Sequence, residues 1–270
     1  MPETKISSGS YDLNKFLYGG YETDIVTTIY GKSGTGKTNL CLLPAVSQAK
    51  KGKKVIFIDT EGGFSVERVK QISENKTEEV MKNIVLLKPL TFQEQSDNLS
   101  SLLREIKQKE NLGMIIVDGM TILYRLELAE ASQNSNTERI RQVNSSLARQ
   151  LKILAELSRK YLIPIIITNQ VYEEFLPFEE LKAGKKPEVN MVGGDILKYW
   201  SKCHILLENI SGKRILILKK HRSLPEKSFQ FQITNEGISG AVPEFLLSDN
   251  VVGAMSALSE VFAEAHAGAE

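Results

Sequence analysis

The chain has 270 residues, 41% apolar and 25% charged, the profile of an ordinary globular protein built as one large domain or a domain with appendages. Its net charge of +1 hides an asymmetry: Gly240 to Glu270 holds no Lys or Arg but five acids, which leaves +6 over residues 1–239 and permits a polyanionic partner without requiring one. No apolar run of about 18 residues is present to span a membrane. The start "MPETKISSGSYDL" lacks a signal-peptide core, and two distant cysteines, Cys41 and Cys203, fit a reducing cytosol rather than a disulfide framework or zinc site.

Short, β-branched and almost wholly apolar runs follow one another: "IVTTIY" (25–30), "KVIFID" (54–59), "IVLL" (84–87), "MIIVD" (114–118) and "IPIIITN" (163–169). Continuous rather than alternating apolar character predicts strands buried on both faces, as in a parallel sheet. Helical patterns lie between them, at about Lys37–Lys51, Ser65–Asn75, Thr91–Glu110 and Thr137–Lys160. Pro44 falls inside the first and is expected to bend it. Strand–helix alternation predicts a doubly wound α/β domain. After Gln170, "CHILLEN", "RILILKK" and "FQFQIT" are spaced like a meander with "ISGKR" as a hairpin turn, so the sheet is expected to gain antiparallel strands at one edge.

Between the first strand and first helix, Gly31-Lys32-Ser33-Gly34-Thr35-Gly36-Lys37-Thr38 fits G-x-x-x-x-G-K-[ST] without mismatch. Glycines let backbone N–H groups converge on a β-phosphate, and the helix N-terminus adds partial positive charge. Lys37 is expected to reach the β/γ oxygens and Thr38 to ligate Mg²⁺. The loop implies a bound nucleoside triphosphate and Mg²⁺. Asp118, 80 residues beyond Thr38 and closing an apolar strand, has the form of a Walker B aspartate; the alternative is an Asp capping a strand-to-loop turn. Gly119 follows it, where some P-loop enzymes carry their base. The other candidate base is Glu61, at the end of "VIFIDTEGGF", although Asp59 and Glu61 could equally just terminate a strand.

"DTEGGFSVERV" (59–69), "MIIVD", "IPIIITNQV" (163–171), "VGGDILKYWSK" (192–202) and "KKHRSLPEKSFQFQITNEGI" (219–238) succeed one another here. In that order they resemble the ATPase core of the RecA/RadA recombinases, over residues 5 to 238. The chain starts almost at that core, without room for the N-terminal domain of RadA, and so is most similar to the short archaeal paralogues of the RadB type. The resemblance implies a RecA-like P-loop fold over residues 1–240. It implies Glu61 as the catalytic glutamate that activates water, Arg68 as the side chain stacked on adenine, and Gln170 as the γ-phosphate sensor. Their structural alternatives are a strand-end turn, a solvated helix charge and a strand cap.

The segment "VYEEFLPFEELKAGKKPEVNMV" after Gln170 is long and polar. By resemblance it is the second DNA-binding loop, with Lys182, Lys185 and Lys186 for phosphates and Phe175 or Phe178 for bases, although five glutamates share it. A denser basic run is Lys213-Arg214 with Lys219-Lys220-His221-Arg222. It reads as a phosphate-binding surface, an approach to a neighbour's nucleotide, or a solvated face. The region 119–142 corresponds to the first DNA loop, with Arg125, Arg139 and Arg141 as its cations and a helix start capped at Ser135 or Asn136.

The F-x-x-A tether of such recombinases is not found before Gly31, which disfavours strand exchange. Residues 241–270 form an acidic amphipathic stretch whose stripe contains Phe262-Ala263-Glu264-Ala265. It reads as a helix packed on its own core, an appended segment, or an element of self-association. Together these features predict an ATP-binding, weakly hydrolysing, DNA-binding accessory protein of homologous recombination and repair, in the nucleoid-associated cytoplasm. The implied partners are single-stranded DNA, the main recombinase and a Holliday-junction resolvase. The alternatives are a nucleotide-switched mediator and a strand-exchange recombinase.

Overall fold

The structure, a computed structural model, describes residues 4–105, 111–173 and 189–240. Lys182, Lys185, Lys186, Phe175, Phe178, Phe262 and Ala265 lie outside the described residues.

Among the described residues, nine strands make the central sheet. In chain order they are β3 (Val26–Gly31), β4 (Lys54–Asp59), β5 (Ile84–Leu87), β6 (Leu112–Asp118), β7 (Ile165–Asn169), β10 (Cys203–Ile210), β11 (Lys213–Lys220), β12 (Lys227–Thr234) and β13 (Gly237–Gly240). Two short ribbons lie outside it: β1 (Lys5–Ile6) with β2 (Tyr21–Glu22), and β8 (Val171–Glu173) with β9 (Val189–Met191). The spatial order is β13-β12-β11-β10-β3-β7-β6-β4-β5. Strands β5, β4, β6, β7, β3 and β10 run parallel, and β11 and β12 turn back antiparallel. This is the doubly wound, mostly parallel α/β sheet with an antiparallel edge that the sequence predicts. The β10–β11 connection is a two-residue turn with Ser211 at φ 51 and Gly212 at φ 83, the both-positive geometry that matches strand twist.

The sheet is covered on both faces, which explains its uninterrupted apolar runs. In β4, Val55 and Phe57 join one core cluster while Ile56 and Ile58 join the other, as the alternation of side chains in a strand requires. The first cluster is completed by α2 (Lys37–Lys50), α3 (Val66–Ser73) and α4 (Thr77–Asn83). The second is completed by α5 (Phe92–Glu105), α6 (Ile122–Gln133), α7 (Thr137–Tyr161) and α8 (Gly194–Trp200). Each fully buried Phe or Ile contributes ~1.5–3 kcal/mol, so the two clusters hold the strand ends in fixed register. Helix α2 runs on through Pro44.

Two expectations are corrected. The region after Asp118 is not a loop, since twelve residues of it form α6; the helix start itself is as expected, α7 beginning at Thr137 with Asn136 as its cap, its side chain accepting from Arg139 N. Leu123 and Tyr124 are buried in the second cluster, so packing rather than a polar composition decided the local structure. Strand β7 starts at Ile165 rather than Ile163 because Pro164, which has no N–H to donate, lies ahead of the ladder.

Candidate functional site

Strands β3, β7, β6 and β4 lie side by side and parallel, so their C-terminal ends open on one edge of the sheet. That edge is where ligands meet open α/β sheets. Gly31 ends β3 and the phosphate loop follows. Asp118 ends β6, Asp59 ends β4, and Asn169 ends β7 with Gln170 just beyond.

In the loop, the Lys37 ammonium donates to Gly31 O at 3.0 Å and Lys32 O at 2.9 Å. Thr35 Oγ1 donates to Lys32 O at 2.9 Å and braces the turn. Gly36 caps α2 at φ 108, and α2 points its free N–H groups at the loop. Across the crevice, Thr38 Oγ1 donates to Asp118 Oδ2 at 2.7 Å, and Thr168 Oγ1 donates to Asp118 Oδ1 at 2.6 Å. The structure thus brings Lys37, Thr38 and Asp118 together as the sequence predicts.

Glu61 completes the cluster. Asp59 accepts hydrogen bonds from the N–H groups of Glu61, Gly62, Gly63 and Phe64. It is therefore the organiser of the turn, and Glu61 is left to project from it. The Gln170 side chain lies beside the Glu61 carboxylate and favours its ionised form. Partial desolvation, then the nearby Asp118 carboxylate, hold Glu61 above the ordinary glutamate range. Burial likewise raises Asp118, against the lowering effect of its threonine donors. Burial lowers the Lys37 ammonium, while Glu61 and Asp118 pull it back up.

A hydroxyl and a carboxylate oxygen 2.7 Å apart, with a second carboxylate nearby and both acids raised, form an oxygen donor set carrying excess negative charge. Such a set suits a hard divalent cation of the Mg²⁺ type. Gly63 keeps this space open, since a Cβ there would sit 3.2 Å from Thr38 Oγ1 and 3.6 Å from Asp118 Oδ2.

Three side chains that the sequence reading passed over belong to the same constellation. Besides holding Asp118, Thr168 Oγ1 accepts from Gly119 N at 2.7 Å. Thr60 Oγ1 donates to the carbonyls of Asp118 and Gly119. Asn169, fully buried, accepts from Thr121 Oγ1 and donates to Val192 O at 2.7 Å, while Val192 N donates to Gln170 O at 3.2 Å. The signal available was the run Thr168-Asn169-Gln170, three polar residues closing an apolar strand.

Arg68 lies on α3 and donates four of its five N–H groups, to Asn39 Oδ1 (2.7 Å), Gln71 Oε1 (2.7 Å), Asn235 O (3.1 Å) and Gly237 O (3.0 Å).

The basic run from Lys213 to Arg222 is not one cluster. Strand β11 separates its ends by roughly 23 Å. Lys213 and Arg214 pair with Ile210 and Asn209 near the phosphate loop, whereas Lys220 pairs with His204 at the far end of the sheet. There Arg222 is engaged by Asp24 and Glu22, and Lys219 by Glu226. Among the cations of the first expected DNA region, Arg139 is bound to Glu127, and Arg141 lies 3.9 Å from Glu138. Arg125 borders a groove with Tyr124, Tyr172 and Val192.

The Rad51 family model matches residues 3–241. Among curated relatives, the DNA repair and recombination protein RadB of Methanococcus maripaludis (strain C7) is 40% identical over 227 residues, 84% of this chain and 96% of the relative. The RadB proteins of Methanocaldococcus jannaschii and Methanobrevibacter smithii are 39% and 37% identical, again over 84% of this chain and over 98% and 92% of their own lengths.

Proposed function

Since this chain belongs to the Rad51 family, and its relatives carry the name DNA repair and recombination protein, we propose that it is an ATP-binding, slowly hydrolysing, DNA-binding accessory protein of homologous recombination and repair. The observation that carries the reading is the convergence of Lys37, Thr38, Asp118, Glu61 and Gln170 at the ends of adjacent parallel strands.

In this reading the loop N–H groups and Lys37 hold the phosphates, with Lys37 exchanging the loop carbonyls for phosphate oxygens. Thr38 and Asp118 would hold Mg²⁺, which neutralises phosphate charge when bound. Glu61 orients the attacking water and accepts its proton as the water oxygen bonds to the γ-phosphorus and the bond to the leaving oxygen breaks. The raised basicity of Glu61 suits that task. Gln170 fixes the carboxylate and registers whether a γ-phosphate is present. Arg68, held by its edge, keeps its planar face for the base.

A nucleotide-switched mediator is the second reading. Asn169, the last residue of β7, and Gln170 after it link the site to the end of the β8–β9 ribbon: Gln170 lies beside Glu61, and Asn169 and Gln170 hold Val192, which follows β9. Nucleotide state can thereby bias residues 174–188, where Lys182, Lys185 and Lys186 are the proposed DNA contacts. Association with a main recombinase or a Holliday-junction resolvase, self-association through residues 241–270, and nucleoid localisation belong to the same proposal.

The deciding experiment is ATP turnover by the wild type and Glu61→Gln, with and without single-stranded DNA. Turnover that DNA stimulates and Glu61→Gln abolishes supports the enzymatic reading. Equal rates in all conditions refute it, and DNA stimulation accompanied by strand exchange refutes the accessory role.

A further inference from the structure

At the end of the sheet opposite the phosphate loop, four elements finish close together. Helix α7 ends in Arg159-Lys160-Tyr161, and α8 ends in Lys198-Tyr199-Trp200. Lys202 leads into β10, and Lys220 closes β11. Ser201 fastens the junction: its hydroxyl donates to Val26 O and Cys203 O, both at 3.0 Å, and Lys202 N donates to Val26 O at 3.1 Å. Val26 begins the strand that Gly31 ends, so this surface and the phosphate loop stand a strand length apart, roughly 17 Å.

The geometry points to a second nucleic-acid surface at this end of the sheet, in which Lys198, Lys202, Lys220 and Arg159 bind successive phosphates of a single strand and Tyr199 stacks on a base. It extends the DNA-binding reading above to a surface that does not include the phosphate loop.

Three observations carry it. First, Arg159, Lys202, Trp200 and Arg222 line one recess of about 280 Å³, floored by the apolar Ile25, Val26 and Ala155. The carboxylate in that recess, Asp24, is held bidentately by Arg222 at 2.6 and 2.8 Å, which leaves Arg159 and Lys202 as the excess charge. Second, His204 is 95% buried under the same lysines, and its Nε2 has no hydrogen-bond partner. Burial first, then the positive charges of Lys220, Lys198 and Lys202, drive its pKa down to about 4, and the bonds of Lys220 to Lys198 O and of Lys202 to Tyr199 O gather these cations at the end of α8. Third, Tyr199 is 68% exposed and is set at 89° against Trp200, with the Lys202 ammonium 5.4 Å from its ring centre. An exposed ring among cations combines backbone neutralisation with base stacking.

Cations at helix C-termini are a common response to the helix dipole, and that accounts for Arg159 and for Lys198, which also lies 4.0 Å from Asp195. Lys202 and Lys220 reach the same α8 terminus from strand ends, donating to Tyr199 O at 2.8 Å and Lys198 O at 3.3 Å, and each ammonium keeps two further donors for an anion. A polyanion satisfies all four. The alternating phosphates and bases of a single strand also match the pairing of lysines with an exposed tyrosine, which an acidic protein surface would not require.

The test is fluorescence anisotropy of a labelled oligothymidylate with the full chain, titrated from low to moderate salt. The wild type is compared with Lys198→Gln/Lys202→Gln/Lys220→Gln, with the matching triple Arg variant, and with Tyr199→Ala. The triple Gln variant is expected to lose at least tenfold in affinity and to flatten the slope of log affinity against log salt by about 2, at ~0.7 per phosphate contact on single strands. The Arg variant is expected to restore both, and Tyr199→Ala to lose roughly fivefold or more with its salt slope unchanged. Binding of a fluorescent ATP analogue, unchanged in all variants, reports that the core is intact. A triple Gln variant with wild-type affinity and slope overturns the inference and leaves the DNA-binding reading standing. A wild type that binds no oligonucleotide overturns both. A changed mass by light scattering with unchanged DNA affinity assigns the surface to a protein contact and overturns it as well.

Discussion

Glu61 and Gly119 are a matched pair. A Cβ at position 119 would fall 2.8 Å from Glu61 Cγ and directly on Thr60 Oγ1. Gly119 also sits at φ 91, where side-chain-bearing residues are strained. The glycine after Asp118 and the position of Glu61, the proposed base, in the turn after β4 are therefore one fact: a side chain at 119 would occupy the place that Glu61 takes.

Gly119→Ala accordingly should displace Glu61 before it disturbs the fold. We expect ~1–3 kcal/mol of destabilisation from the positive φ and the clash, together with loss of most turnover. Nucleotide binding should persist, because Lys37 and the loop are untouched. Thermal unfolding, binding of a fluorescent ATP analogue and turnover, measured on the same preparation, separate the three effects.

Glu61→Gln keeps the shape and removes the proposed proton acceptor. General-base loss typically costs 10²–10⁴ in rate, so turnover should fall by at least about a hundredfold while ATP affinity stays within a few-fold. A variant retaining half the wild-type rate would place the base elsewhere.

Thr168→Val removes the hydroxyl that donates to Asp118 Oδ1 and accepts from Gly119 N. The affinity for Mg²⁺ should fall by roughly 10–100-fold, as for other groups that orient a ligand. The unpaired Gly119 N–H should cost a further ~1–3 kcal/mol of stability. A Mg²⁺ titration of turnover and a denaturant melt check the two parts.

His204 gives a pH prediction with a defined sign. Its folded-state pKa of about 4 lies below the ordinary 6.5, so the unfolded chain takes up a proton that the native state refuses. Stability contributed by the neutral ring is full above about pH 6.5 and is lost as pH falls toward about 4. Over that window the wild type should lose up to ~1.4 kcal/mol per pH unit relative to His204→Leu. Parallel denaturant melts of the two proteins from neutral to acid pH would show it, and coincident pH profiles would contradict it.

Arg222 tests the division of the basic run. It binds Asp24 at 2.6 Å and lies 2.8 Å from Glu22, whose own side chain is buried. Its truncation to Ala should cost ~1–2 kcal/mol, moderated because Arg222 is itself half exposed. The salt slope of DNA binding should shift little, since this guanidinium is already neutralised.

How much of this was legible beforehand follows from the range of the forces involved. Strand β4 was readable to the residue because its signal is local: β-branched apolar residues bounded by Lys54 and Asp59. Helix α6 was not, because a family likeness suggested a loop, and its helix is held by burying Leu123 and Tyr124 against α7 and α5. Thr168 gave no sign by itself, since its role exists only where β7 lies beside β6.

The phosphate-loop pattern, the alternation of strands and helices, the antiparallel edge, and Lys37, Thr38 and Asp118 as candidates for one site are all legible along the chain. Those depend on contiguous residues and on side-chain periodicity, which the chain carries in one dimension. Packing of the strands and helices is what sets Glu61 over Gly119, brings Gln170 beside Glu61, pulls the basic run apart along β11, and gathers Lys198, Lys202, Lys220 and Arg159 at one end of the sheet. Each of those depends on strand order and on which ends of the elements finish together. That order is fixed by burying both faces of the sheet at once, a condition no single segment can express.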